Sequence, residues 1–351
     1  MSDEQEESRR PEVKWRGKDL LAKAESSELE EAADEEPEHQ LFDSKTLSRA
    51  ISLAGDDAKH ALGLMRVSGS GRTLQKVPDD YYSRCEELKA LQPNFAQFID
   101  DVLIPGFALS HARANPKDTF ISLAPTVLLG DPGVGKTMFA ARLAQVFHLE
   151  FERMNLETSQ ASFELMGVSK GWTNAQPGRL FNWLAKCQSA NGLFVFEELD
   201  KASADPRFSP LNPLIQLLEP TTSKCIYDQC VPELKLDASK VNWVFTANSL
   251  SGISAPILSR LHVIEIPPLT AEQAKSVALR QYEGLIHDMN LKPAVTIPQL
   301  TPAGLEILST ESPRRQRVLL HMALGRAVAA KRAELELSPR PASKKRSIGF
   351  Y

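Results

Sequence analysis

The middle of the chain is punctuated by short apolar runs, each closed by a polar or turn-forming residue. Thr126-Val127-Leu128-Leu129 lies between Pro125 and Gly130, and Leu193–Phe196 runs into Glu197 and Glu198. Val241–Ala247 ends at Asn248, and Val263–Ile266 runs into Pro267-Pro268. Apolar runs of this length, without strict alternation, suit strands of a parallel sheet covered on both faces. Phe151–Leu156 reads as a further strand. Between the strands the period becomes helical. Phe139, Leu143, Val146 and Phe147 place a helix from about Lys136, and further helices are expected over Arg179 to about Ser189, Leu211–Leu218 and Pro256–Leu261. Cys225–Leu234 resembles a hairpin. Strands alternating with helices predict an α/β domain.

After Pro268 the pattern is helical throughout. Ala271–Met289 and Pro302–Leu308 form two helices, and Ser312-Pro313 opens a third, with Ser at the cap and Pro in the first turn. From Leu41 to about Lys89 the pattern is also helical, interrupted by the turn Ser68-Gly69-Ser70-Gly71, and an amphipathic helix near Asn94–Leu103 leads into the strands. The divisions expected are an acidic arm (1–40), a helical segment (41–93), an α/β domain (94–267), a small helical lid (268–337) and a basic tail (338–351).

Charge changes the picture only at the ends. Residues 1–40 carry 14 acids against 6 bases, and Glu25–Glu38 holds eight acids and no base, as in a disordered, solvated arm. The tail from Ser338 is Pro-, Lys- and Arg-rich and reads as flexible. A pI near 6.0 and the lack of a dense basic stripe argue against a nucleic-acid partner. No apolar run is long enough for a membrane span, and the acidic N-terminus is no signal peptide. Four cysteines, none in a Cys-x-x-Cys pair, read as ordinary thiols, so the cytoplasm is the expected compartment.

The strand ends carry the chemistry. Gly130-Asp131-Pro132-Gly133-Val134-Gly135-Lys136-Thr137 matches the phosphate-loop pattern, set between a strand and a helix. There glycines turn backbone N–H groups toward phosphates and the helix end adds a positive field. Lys136 would reach the β- and γ-phosphates of ATP, and Thr137 would offer its hydroxyl to Mg²⁺. Glu197 and Glu198 end the next apolar strand 61 residues after Lys136, where ligands bind in open α/β sheets. One carboxylate would hold the Mg²⁺ shell and the other would polarise the attacking water. Asn248, at the end of its strand, would hold that water.

This order of parts resembles the AAA+ ATPases, and more narrowly the ATPase module of the Lon protease family. Leu199-Asp200-Lys201 is similar to that family's Asp-Glu-Ile-Asp-Lys, and Thr246-Ala247-Asn248-Ser249-Leu250 to its sensor-1 strand. Pro256-Ile257-Leu258-Ser259-Arg260 resembles its Pro-Leu-Leu-Asp-Arg, and Gly171-Trp172-Thr173-Asn174-Ala175-Gln176-Pro177-Gly178-Arg179 its pore loop. The likeness covers roughly residues 90–335. It implies a three-layer α/β domain with a parallel sheet of order 5-1-4-3-2, an all-α lid, and a ring, usually a hexamer. It further implies Arg260 as the arginine finger, Arg314 as sensor 2 with Arg315 competing, Glu197 in place of the family's metal-binding Asp, and Trp172 and Thr173 gripping a polypeptide client. No protease domain is expected after the lid. The expectation is therefore a Mg²⁺-dependent ATPase that remodels or unfolds protein, feeding a separate protease or effector. A nucleic-acid loader or clamp, or a slowly hydrolysing ATP switch motivated by Glu197, are the alternatives.

Overall fold

The computed structural model describes residues 38–157, 162–202, 211–292 and 295–338. The expected acidic arm, but for its last three residues, and the basic tail beyond Ser338 lie outside the described residues. No helix among the described residues is long and apolar enough to cross a membrane.

The chain enters through β1 (Glu38–Gln40) and helices α1 (Ser44–Leu53) and α2 (Asp56–Ser68), then β2 (Gly71–Thr73), which pairs antiparallel with β1. The sequence pattern had shown only helices here; strands of three residues are too short to display a period. Asp43 caps α1 by accepting from the Lys45 N–H. α3 (Tyr81–Leu91) follows, then a helical run over residues 93–111 whose last part is α4 (Ile104–His111).

The main sheet has five parallel strands: β3 (Thr126–Leu129), β4 (Phe151–Asn155), β5 (Leu193–Glu197), then β8 (Asn242–Ala247) and β9 (His262–Glu265). Their order is β4-β5-β8-β3-β9, which is the expected 5-1-4-3-2 read from the opposite edge. α5 (Lys136–Val146), α6 (Ser162–Met166), α7 (Arg179–Lys186), α8 (Leu211–Leu217) and α9 (Ala255–Leu258) connect the strands. The expected hairpin forms but runs past its expected end at Leu234: β6 (Ile226–Tyr227) pairs with β7 (Lys235–Leu236), with a loop between them. α7 stops three residues before the expected Ser189, where Cys187 turns extended.

Alternate residues of each strand feed opposite cores, which gives the three layers. Phe194, Phe196, Trp243 and Phe245 face one side, where Trp183 meets Phe194 edge-on, while Leu193, Val195, Val244 and Leu128 face the other, among Phe139, Phe98 and Phe107. α1 and α2 add Leu47, Leu62 and Met65 to the first of these cores. Burying a large apolar side chain contributes roughly 1.5–3 kcal/mol. The aromatic stripe on β5 and β8 is therefore the main anchor of the sheet. The lid follows as α10 (Ala271–Met289), α11 (Pro302–Ser309) and α12 (Pro313–Ala329) around Tyr282, Leu308, Leu320 and Leu324. Thr270 and Gln273 form a reciprocal capping box on α10. Buried Gln316 donates to the carbonyls of Ala274 and Leu308, tying all three lid helices together.

Polar side chains close the lower edge of the sheet. Asn242 accepts from the Leu123 N–H at 2.6 Å and donates to the Asn191 carbonyl at 2.6 Å. Asn191 in turn accepts from Gln75 N–H at 2.7 Å and donates to the carbonyls of Gln75 and Ile121. Both amides are fully buried. They complete backbone groups that the sheet ladder leaves open, and each such orphan costs about 1–3 kcal/mol. Asn242→Leu is expected to lower the unfolding free energy by roughly 2–4 kcal/mol in denaturant melts, against less than half that for an exposed substitution such as Lys59→Leu. Equal effects would show that the amides carry no such load.

Candidate active site

Parallel register brings the functional residues together. Asn155 pairs with Glu197 across β4 and β5, and Leu129 lies opposite Ala247, so Gly130 and Asn248 leave neighbouring strands at one height. The first loop glycine must lack a side chain, because a Cβ on Gly130 would lie 2.5 Å from the Ile266 carbonyl oxygen of β9's exit. Gly133 and Gly135 have φ of 89° and 104°, so the loop curls back over the start of α5. Among the described residues, no hydrogen bond from the N–H groups of Gly133, Gly135, Lys136 or Thr137 is formed, which leaves a cradle of donors at a helix N-terminus.

A cleft of about 510 Å³ opens over this cradle. Lys136, Thr137, Glu197, Glu198, Asn248 and Arg314 all line it. Lys136 Nζ donates to the carbonyls of Gly130 (2.5 Å) and Asp131 (3.1 Å) and to Asn248 Oδ1 (2.9 Å). Burial pushes its amine below the usual lysine range, opposed by the charges of Asp200, Asp131 and Glu198. Asn248 is held from behind as well, its N–H donating to Asp200 at 3.2 Å. Glu197 lies 3.8 Å from Arg153. Glu198 sits at φ 58° in the left-handed region, where a non-glycine residue is strained, and its N–H donates to Thr246 Oγ1. A hydrogen bond with the Glu157 carboxyl, then burial and the charges of Glu157 and Asp200, push the Glu198 carboxyl above its usual range.

The residue set fits a nucleoside triphosphate with a divalent ion: an anion cradle and cations at the loop, oxygen donors from Thr137 and Glu197 beside it. Arg314 lines this cleft and Arg315 does not. Arg260 lies outside it. Its guanidinium bonds the Pro256 carbonyl and pairs with Glu219 at 3.4 Å. Trp172 and Thr173 are elsewhere again, on an exposed loop where the indole is 71% accessible. That loop is tied down at its base. Gly178 N–H donates to Asp228 Oδ2 at 2.7 Å, Cys230 N–H to Asp228 Oδ1 at 2.8 Å, and Lys170 pairs with Glu233 at 2.8 Å. Burial pushes the Asp228 carboxyl up to about 6, against the pull of those N–H groups.

A second cleft, of about 200 Å³, adjoins the loop between α3, α5 and the lid. Its floor is apolar, with Leu91, Val134, Met138, Val277 and Leu285, and it has the character of a nucleobase pocket. Buried Asn94 spans the carbonyls of Val134 and Pro267, fixing this edge to the loop and to the end of β9. No sequence signal marks these residues, because they come from segments nearly two hundred positions apart. Arg153, Asn155 and Glu157 were also missed, although the strand-end rule that found Glu197 would have pointed to Asn155.

Residues 126–269 match the family model described as "ATPase family associated with various cellular activities (AAA)". Over these residues the chain matches an AAA+ module. The module resembles that of Lon proteases: it is 36% identical over 153 residues to the Lon protease of Halothermothrix orenii, covering 44% of this chain and 19% of that protein. Against the Lon protease of Xanthomonas oryzae pv. oryzae it is 37% identical over 153 residues (44% and 18%). Against "Lon protease homolog 2, peroxisomal" of Oryza sativa subsp. indica it is 32% identical over 152 residues (43% and 17%). The matched segment thus spans under a fifth of the length of these relatives.

With Glu198 as the base, its contact with Glu157 is expected to set a pH dependence for hydrolysis. A carboxylate must be ionised to accept a proton, and Glu198 is held protonated to higher pH than a free Glu. Turnover is therefore expected to fall, as pH drops, at a higher pH than an ordinary carboxylate would give. Glu157→Ala removes the largest cause and should move the acid limb of kcat to lower pH. An acid limb unmoved in that variant would show that the contact does not govern Glu198.

Proposed function

We propose that the module binds ATP with Mg²⁺ and hydrolyses it, and that the chain works as a ring that remodels or unfolds polypeptides. The observation that carries this reading is the convergence of Lys136, Thr137, Glu197, Glu198, Asn248 and Arg314 on one cleft at the strand ends. Lys136 and the loop N–H groups hold the β- and γ-phosphates. Thr137 and Glu197 would hold the Mg²⁺, which neutralises charge between the phosphates when bound. Glu198 takes a proton from the attacking water, and Asn248 orients that water while its amide is braced by Asp200. Arg314, brought by the lid, meets the γ-phosphate charge. Arg260 lies outside its own cleft, half-buried beside Glu219 with a shielded Nε that has no partner among the described residues, which suits a guanidinium that completes the site of a neighbouring subunit. A slowly hydrolysing switch is the second reading, favoured by Glu197, whose side chain is one methylene longer than the Asp of the resembled family at the metal-binding position.

Turnover and binding separate the two readings. Lys136→Ala is expected to lose ATP binding in calorimetry. Glu198→Gln should keep binding and lose hydrolysis by ~10²–10⁴-fold. Glu198→Gln turning over at the wild-type rate would remove Glu198 as the base, and wild-type turnover no faster than that variant would favour the switch.

The polypeptide client rests on Trp172. A large indole left exposed on a braced loop suits contact with a partner rather than core packing. Trp172→Ala is expected to leave the melting temperature and basal ATP hydrolysis within error while abolishing ATP-dependent unfolding of a tagged model substrate. A variant that melts several degrees lower, or still unfolds the substrate at full rate, would rule out this grip.

A further inference from the structure

Three arginines from three helices converge on the nucleobase cleft: Arg142 of α5, Arg280 of α10 and Arg317 of α12. None of them makes a hydrogen bond or ion pair among the described residues, and Arg280 Nη1 is shielded from solvent without a partner. Burial pushes the Arg142 guanidinium below its usual value, and the neighbouring Arg280 and Arg317 charges push it further. One acid, Asp288, shares the cleft, and it is exposed and lies 3.8 Å from His287 Nδ1. Three like charges around one partly dry space repel, and Asp288 by itself does not neutralise all three.

A neutral base does not account for this wall. The cleft already offers an apolar floor and two buried amide oxygens without partners, Gln92 Oε1 and Gln281 Oε1, which match the amino edge of a base. A triphosphate does not account for it either, since its charge belongs to Lys136 and the loop in the adjoining cleft. We propose that the Arg142, Arg280 and Arg317 wall is a second anion site that takes a phosphate group, carried on the ribose of the bound nucleotide or supplied as free orthophosphate. Guanidinium forks pair well with phosphate oxygens, and desolvation strengthens such pairs. Arg142 belongs to the α/β domain, whereas Arg280 and Arg317 belong to the lid helices. A phosphate bridging them would hold the lid against the domain and link that anion to nucleotide occupancy. The nucleotide part of this inference rests on the function proposed above.

The test uses the full chain with the phosphate loop filled by a saturating non-hydrolysable ATP analogue. Potassium phosphate is then titrated against potassium chloride at matched ionic strength, and thermal unfolding is followed. Wild type is expected to gain melting temperature in phosphate beyond chloride. Arg142→Gln/Arg280→Gln should lose that increment, and in phosphate-free buffer should melt higher than wild type because a repulsion is gone. Arg317→Gln, at an exposed position, should lose most of the increment too and serves if the double variant does not fold. In a second arm, ADP is compared with ADP bearing a 3′-phosphate. At least tenfold tighter binding of the latter, abolished in Arg317→Gln, assigns the ribose as the source, and equal affinities together with the orthophosphate increment assign free phosphate. No phosphate increment and no ribose-phosphate preference in wild type would overturn the site, as would an increment that persists in both variants. An analogue that fails to shift wild-type melting would instead count against nucleotide binding, while the phosphate increment would still read the arginine wall.

Discussion

The position of β8 between β5 and β3 is the constraint on which the site depends. Parallel strands in register end at one height, so strand order alone decides which strand-end residues are neighbours. With β8 in the middle, Asn248 lies within hydrogen-bond reach of Lys136 from the loop after β3, while the acids after β5 flank it on the other side. β8 can occupy that place because it is buried on both faces, its aromatic residues stacking on those of β5 and Val244 meeting the core beneath α5. Were β8 at an edge, the same residues would share no cleft.

Charge in the cleft is held in tension. Lys136 is buried enough to disfavour its charge, and nearby carboxylates restore it. Glu198 adopts a strained backbone and shares a hydrogen bond with another carboxyl. Neither arrangement serves stability, since burial and like charge both cost free energy. Such costs are met by the surrounding packing and gather where chemistry is done.

The exposed loop around Trp172 is braced by two other segments. Asp228 reaches from the β6–β7 loop to the N–H of Gly178, and Lys170 reaches both Glu233 of that loop and the Leu53 carbonyl at the end of α1. The N-terminal helices, the hairpin and the exposed loop are therefore tied to one another. A segment that looked chemically silent in sequence, residues 44–68, is a support for the part of the surface proposed to meet a client.

Much of the α/β domain was legible in the sequence. Apolar runs of four to seven residues leave few choices but buried parallel strands, and the loop from Gly130 to Thr137 has a spacing that chemistry dictates locally. Glu197, Glu198 and Asn248 could be read because each directly follows such a run. Sequence by itself thus determined the five parallel strands, the phosphate loop and the residues at the strand ends, all features set by neighbours within a few positions. Only the tertiary structure decided that Arg314 rather than Arg315 lines the cleft, that Glu157 holds Glu198, and that Arg142, Arg280 and Arg317 share one wall. The arginine placements depend on how the lid's helices dock across more than a hundred residues of chain, and the approach of Glu157 to Glu198 depends on the pairing of β4 with β5; no local pattern encodes either.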